Sequence, residues 1–220
     1  MIPPSPVEPG AGPGRITALE TDPRRAGTVR IDVDEQRFAS VPAELVLLEG
    51  LTVGQTLDAA LRARLGVAAE QESAYRTALR ALERRGFARA DLARRLLRKG
   101  HARPAVEAAL EQLAGIGMVD DALYAEHYVA TRSARGRGPL RLTRDLIAMG
   151  VDRRVIDRAL AAHRADGGET PDVPLALASK RAAQLGNLPR AAKRRRLLAY
   201  LARRGFTGSD VGAMVKRVVG

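Results

Sequence analysis

The stretch LARRLLRKGHARPAVEAAL, residues 92–110, reads as a helix, a glycine stop and a second helix. Leu92 and Leu96 stand eight and four residues before Gly100, and Val106 and Leu110 stand six and ten residues after it. The same register recurs around Gly150, with Leu142, Leu146, Ile156 and Leu160, and around Gly205, with Leu197, Leu201, Val211 and Val215. Four apolar positions agreeing in three copies about 50 residues apart are the signature of tandem helical units. Leu82 and Gly86 extend the pattern backwards, since Leu92 and Leu96 follow Gly86 at the same six- and ten-residue offsets. Two helices bury too little by themselves, so the expected unit has three. This places repeats at 73–116, 117–165 and 173–220, with a linker at 166–172. Stacked units of this kind imply an elongated, curved body with one contact face per repeat.

Arg-Arg-Gly-Phe occurs twice, at 84–87 and 203–206, each time after a helical run. Glycine ends a helix in the left-handed conformation without a Cβ penalty. Phe87 and Phe206 are then placed to fold back on the helix they leave. Thr207 and Asp210 read as a T-x-x-D capping box for the last helix. At the first copy the cap position is Ala88, and only Asp91 favours the helix start through its dipole. The arginines are dispensable to the joint, because Gly100 follows Arg98-Lys99 and Gly150 follows Ala148-Met149. Arg84, Arg85, Arg203 and Arg204 are therefore candidate contacts at the two ends of the body.

Before the first repeat the pattern changes. Residues 1–14 are rich in Pro and Gly and are expected to be disordered. Arg15–Glu20, Thr28–Val33 and Gln36–Val41 read as strands, with turns at 21–27 and at Asp34-Glu35. The segment 41–49 reads as either strand or short helix. A helix is expected over Thr52–Leu65, with Leu57, Leu61 and Leu65 at four-residue spacing and Gly66 as its stop. Residues 15–72 thus form a small acidic α/β extension. From Ser73 onward nothing reads as strand. The first helix there carries Tyr75, Ala78, Leu79 and Leu82 on one face and Arg76, Arg80 and Arg84 on another. The second turns Leu92, Leu96 and Leu97 inward, and the third, after Pro104, buries Val106, Ala109, Leu110 and Leu113. The fold class is mainly α, three tandem three-helix bundles with a β-rich N-terminal extension.

Composition limits function. Aromatic residues make up only 3% of a chain that is 45% hydrophobic, so Leu, Ala and Val do the packing. No cysteine is present, which excludes disulfides and thiolate metal sites and suits a reducing compartment. No apolar run approaches the roughly 18 residues of a membrane span, and the N-terminus lacks the pattern of a signal peptide. A cytoplasmic protein is expected. The formal net charge is +12. Residues 1–72 carry 7 Lys/Arg and 11 Asp/Glu, whereas residues 73–220 carry 30 and 14. The charge belongs to the helical part and points to a polyanion or an acidic protein surface. The plain alternative is a solvated, arginine-rich helix surface.

Catalytic chemistry has no candidate residues. His101, His127 and His163 are scattered and no nucleophile triad is apparent. Asp120 and Asp121 read as a cap and first-turn acid opening a helix that runs to about Ser133, in preference to a magnesium site. No enzyme activity, cofactor or metal is expected. Arg135-Gly136-Arg137-Gly138-Pro139 lacks the Lys-Ser/Thr of a P-loop, yet with Arg132, Arg141 and Arg144 around it forms a candidate anion-contact loop. Lys193, Arg194, Arg195 and Arg196 span more than one helix face, so some of them face solvent. Aromatic residues do not interleave with these arginines, which argues against a base-stacking platform. No single helix reads as a recognition helix.

Residues 117–160, GMVDDALYAEHYVATRSARGRGPLRLTRDLIAMGVDRRVIDRAL, resemble the RecX family, bacterial modulators of the RecA recombinase. The carrying features are Gly117 to Asp121, the Arg-Ser-x-x-Gly-x-Gly-Pro-x-Arg run from Arg132 to Arg141, and the corner at Gly150. Residues 78–100 and 197–211 support the likeness, which covers roughly 73–219. Ala88 stands where a capping Ser is usual, and the usual aromatic after Asp-Asp arrives as Tyr124. The acidic N-terminal piece resembles an extension that some members carry. The resemblance implies a non-enzymatic regulator of DNA repair. It would lie along the groove of the RecA–single-stranded DNA filament, bridge neighbouring subunits and restrain recombinase, ATPase and co-protease activity. The expected contacts are Arg84, Arg85, Arg94, Arg95, Arg98, Lys99, the arginines from 132 to 144, Lys193 to Arg196, and Arg203 and Arg204. The structural positions are Gly86, Phe87, Gly100, Asp120, Asp121, Tyr124, Gly138, Pro139, Gly150, Gly205 and Phe206. A monomer is the default expectation. The alternative is a helical protein that binds DNA or RNA directly, which predicts steeply salt-dependent binding to bare nucleic acid.

Overall fold

The computed structural model describes residues 13–23, 25–168 and 172–220. The tail expected to be disordered lies outside the described residues over 1–12, as do residues 169–171 of the expected linker. Four strands, β1 (Gly14–Thr21), β2 (Thr28–Val33), β3 (Gln36–Pro42) and β4 (Thr56–Leu57), form an antiparallel sheet in the order β3-β2-β1-β4. Asp34 and Glu35 turn β2 into β3 with φ of 50° and 63°, the left-handed pair that a two-residue hairpin requires. The undecided segment after β3 is a short helix, α1 (Ala43–Leu48). Ile16, Ile31, Val33, Ala39 and Val41 meet Leu51, Leu57, Leu61 and Leu65 in a core beneath the sheet.

The helix expected over Thr52–Leu65 is different in the structure. Thr56 and Leu57 pair with β1, Asp58 caps the helix by accepting from the Leu61 amide at 2.7 Å, and α2 spans Ala59–Leu82. Gly66 does not stop it. A glycine inside a helix costs about 1 kcal/mol relative to alanine. Burial on both sides outweighs that: Leu61 and Leu65 enter the sheet core, and Ala74 packs with Ala105 and Ala109 of α4 (Arg103–Gly115). The expected boundary at 72/73 falls within this one helix. Arg76 is turned inward, its Nε donating to the buried Glu72 at 2.5 Å and its NH2 to the Ala26 carbonyl, which fastens α2 to the β1–β2 connection.

The remaining helices are α3 (Arg89–Arg98), α5 (Asp121–Ser133), α6 (Pro139–Met149), α7 (Arg153–Ala165), α8 (Asp172–Ala183), α9 (Arg190–Arg204) and α10 (Ser209–Val219). No strand follows β4 among the described residues. The chain divides into two compact units, one of residues up to Arg85 with Ala93–Met118, the other of Gly86–Leu92 with Val119–Gly220.

The twelve positions that defined the repeat are inward, ten buried and two, Leu160 and Val211, half-buried. Gly100, Gly150 and Gly205 have φ of 90°, 87° and 93°. At each, the next residue's amide donates to the carbonyl of the leucine four before the glycine: His101 to Leu96, Val151 to Leu146, Phe206 to Leu201, at 3.3, 3.1 and 3.0 Å. This is the Schellman closure. The same leucine therefore fills the core with its side chain and ends the helix with its carbonyl.

Two corner details depart from expectation. Gly86 has no positive φ; α2 has ended at Leu82 and unwinds over 83–88, with Phe87 and Ala88 buried. Thr207 does not cap α10, whose N-cap is Gly208 without a side-chain bond, because Gly208 at φ 112° takes the chain around one residue later. Asp120 does cap α5, accepting from the Ala122 and Leu123 amides at 2.7 and 3.1 Å. Its neighbour Asp121 reaches to α3, where the Arg89 amide donates to Oδ1 at 2.7 Å. The cap absent at Ala88 is thus supplied from another helix. Asp121→Ala is expected to destabilise the protein by about 1 kcal/mol, the usual worth of an N-cap. Chemical denaturation checks this, and a variant as stable as the parent would show that the bond contributes nothing.

Candidate polyanion and partner interface

The Arg-Gly loop of 135–138 is closed by its own backbone. The Gly136 amide donates to the Ser133 carbonyl at 2.7 Å and the Arg137 amide to the Arg132 carbonyl at 3.1 Å, with Gly136 at φ 78°. The loop then lies on the corner of the third repeat. The Gly138 amide donates to the Arg204 carbonyl at 2.7 Å and the Leu140 amide to the Gly205 carbonyl at 3.3 Å. A Cβ on Gly138 would stand 2.6 Å from the carbonyl carbon and oxygen of Gly205, and one on Gly205 would stand 2.3 Å from the Arg141 nitrogen. Both glycines are required because two backbones touch. The Gly136-Arg137-Gly138 run and the second Arg-Arg-Gly-Phe are two halves of one contact.

Side chains complete it. Arg137 donates from NH1 to Asp145 Oδ2 at 2.5 Å and to the Tyr128 hydroxyl at 3.0 Å. Arg141 Nε pairs with the other oxygen of Asp145 at 3.0 Å. Arg132 lies over the Tyr128 ring with its guanidinium 5.4 Å from the centroid, a cation–π distance. Burial, with the Asp145 carboxylate beside it, holds the Tyr128 phenol above its ordinary pKa. In the third repeat Arg204 and Arg181 both approach the Tyr200 ring, at 5.0 and 5.8 Å, and Arg204 NH1 lies 3.4 Å from the Gly136 carbonyl.

The candidate contacts therefore separate by environment. Arg132, Arg137, Arg141 and Arg204 are engaged within the unit. Arg135, Arg144, Arg194, Arg195, Arg196 and Arg203 are exposed and form no ion pair among the described residues, while Lys193 is half-buried. In the other unit Arg84, Arg85, Arg94, Arg98 and Lys99 are exposed and Arg95 is half-buried. One feature of the third repeat went unnoticed in the sequence: from Val173 to Ser209 there are nine Lys/Arg and no Asp or Glu. In contrast, Arg137 of the loop and Arg141 of α6 share Asp145. Asp145 was also missed, although its spacing of four from Arg141 is that of a helical ion pair.

Other chemistry is sparse. No group of three His, Cys, Asp or Glu residues could hold a metal among the described residues. Ser133 Oγ lies 2.7 Å from His163 Nε2, and the backbone at Gly168 crosses the imidazole so closely that a Cβ there would stand 2.1 Å from the ring. That ring is packed beneath the end of α7. Tyr124 is half-buried, its ring 3.5 Å from where a Gly86 Cβ would stand, and its hydroxyl donates to the Met149 sulfur at 3.3 Å. No helix among the described residues is long and apolar enough to cross a membrane.

The profile of the second three-helix domain of RecX matches residues 120–160, the helices α5 to α7. The regulatory protein RecX of Xanthomonas oryzae pv. oryzae (strain MAFF 311018) is 34% identical over 149 residues, 67% of this chain and 89% of that protein. The chain belongs to the RecX family. A second RecX regulatory protein, from Halorhodospira halophila, is 36% identical over 148 residues, 66% of this chain and 88% of its own length. A crystal structure of regulatory protein RecX, 27% identical, superposes with a TM-score of 0.73 over 93% of this chain and 99% of that one. RecX from Lactobacillus salivarius, 19% identical, shares the fold, with a TM-score of 0.58 over 68% of this chain and 96% of its own. Membership makes this chain a regulatory protein, in keeping with the structural character of its polar clusters.

The glycine contact is directly testable. Gly138→Ala is expected to cost about 2 kcal/mol, the range for forcing atoms into a packed site. Gly205→Ala should cost more, since it adds left-handed strain to a closer clash. Urea denaturation of the two variants, with Gly115→Ala as an open-space control, gives the order.

Proposed function

We propose that this RecX-family protein binds the RecA–single-stranded DNA filament along its groove and restrains recombinase, ATPase and co-protease activity, acting in the cytoplasm as a monomer. The observation that carries the proposal is the acid-free cationic stretch from Val173 to Ser209, with Arg194 to Arg196 exposed on α9. An array of cations with no neighbouring carboxylate holds its full attraction for phosphate, and each phosphate it neutralises releases counterions. The three helical segments 73–116, 117–165 and 173–220 each offer contacts, and weak contacts joined in one chain reinforce each other through effective concentration. Such an arrangement suits a partner that repeats along a helix.

Direct binding to bare DNA or RNA is the competing reading, favoured by the same cations. One titration separates them. Binding to naked single-stranded DNA and to RecA-coated DNA is compared at physiological salt by fluorescence anisotropy. The filament reading expects clear preference for the coated strand. It also expects Arg194→Glu/Arg195→Glu/Arg196→Glu to lose most restraint of the RecA ATPase. Equal affinity for both forms of DNA, or full restraint by the triple variant, would overturn it. Arg135→Glu tests the loop in the same assay without disturbing the Arg137–Asp145–Arg141 cluster.

A further inference from the structure

The exposed large apolar side chains of the second unit, among the described residues, are Leu123, Leu140, Ile147 and Leu175. Two of the four share α6. Leu140 retains 44% of its surface and Ile147 50%, while Leu142 and Leu146, turned away from them, are buried, as is Thr143 at the edge of the stripe. Leu140, Arg144 and Ile147 follow at four- and three-residue steps, so they form one stripe about 10 Å long at 1.5 Å per residue. Arg144 in its middle is exposed and has no ion pair among the described residues. Arg141 beside it is held by Asp145.

This stripe differs from the α9 surface in two respects that bear on its partner. Its apolar side chains have no counterpart on a phosphate backbone, whereas the exposed neighbours of Arg194 to Arg196 on α9 are alanines, Ala191 and Ala199. Asp145 pairs with Arg137 and Arg141 beside the stripe and offsets part of their attraction for a polyanion, while α9 has no acid near it in sequence. Two large apolar residues with a lone cation between them match an apolar ridge that carries a carboxylate, which is a protein surface.

We propose that the α6 stripe of Leu140, Arg144 and Ile147 docks an apolar, carboxylate-bearing surface of the protein partner, leaving phosphate recognition to α9. Resting on the filament reading above, the occupant is a recombinase subunit. The division gives a role to the exposed leucine and isoleucine of α6, whose charged residues are Arg141, Arg144 and Asp145. It also assigns α6 and α9 to two chemically different faces of one filament.

The test uses the full chain and two probes, a labelled single-stranded oligonucleotide alone and the same oligonucleotide coated with RecA. Leu140→Gln/Ile147→Gln is expected to weaken binding to the coated strand about tenfold, the effect of losing an interface anchor. Its affinity for the bare strand and the salt slope there should match the parent. Should that double variant lose its helical circular dichroism, Arg144→Glu decides, with the same loss expected on the coated strand. An α6 variant that binds the coated strand like the parent overturns the assignment. Equal losses on both probes also overturn it and make the stripe a nucleic-acid contact. If the parent itself does not prefer the coated strand, the filament reading falls and this occupant with it. A parent that prefers the coated strand and a variant that keeps that preference remove the α6 assignment alone.

Discussion

Everything in the helical part of this protein depends on one closure repeated at Gly100, Gly150 and Gly205. A leucine fills the core, its carbonyl accepts the last bond of its helix, and a left-handed glycine turns the chain away. Core and corner are satisfied by the same residue, so neither can shift without the other. After Gly150 and Gly205 the helix that follows brings its own apolar positions, six and ten residues on, into the same core as that leucine. This accounts for a repeat that stays in register with only three phenylalanines and four tyrosines in the chain. Small aliphatic side chains pack uniquely only when the backbones that carry them are tightly placed.

The second unit adds a constraint of another kind. Gly138 and Gly205 bring the loop of one three-helix segment against the corner of the next, backbone to backbone. Around that contact Arg137 and Arg141 share Asp145, and Arg204 bridges Tyr200 and the Gly136 carbonyl. These arginines are structural cations. Their partners make them poor ligands for an external anion, since binding one would first require Arg137 or Arg141 to release Asp145, or Arg204 to leave the Tyr200 ring. Under the proposed function, recognition falls to cations that stand clear of acids, Arg194 to Arg196 of α9 among them.

Such a division suits a regulatory protein of the RecX family. A surface made only of arginine would bind any nucleic acid, with an affinity set by salt. On the proposed reading, apolar contacts beside the cations would confer selectivity for protein-coated strands, because they are satisfied only where a shaped apolar surface is present. Just after the acidic N-terminal segment, Arg76 pairs with Glu72 within α2 and donates to the Ala26 carbonyl, which holds that helix to the β1–β2 connection.

Local spacing alone determined much of this protein. The repeat, the three left-handed corners, the β2–β3 turn and the Asp120 cap were legible because each arises from residues within about ten positions of one another. Family membership was equally legible, since it rests on contiguous motifs from Gly117 to Gly150. Tertiary structure decided what local spacing cannot encode. Gly66 looks like a stop, yet buried contacts on both sides carry α2 through it. Ala88 looks uncapped, yet Asp121 reaches it from a helix 32 residues away in sequence. Arg137 and Arg141 look like contacts, yet Asp145 holds both. In each case the decisive partner approaches through space, from residues that local spacing does not bring into view.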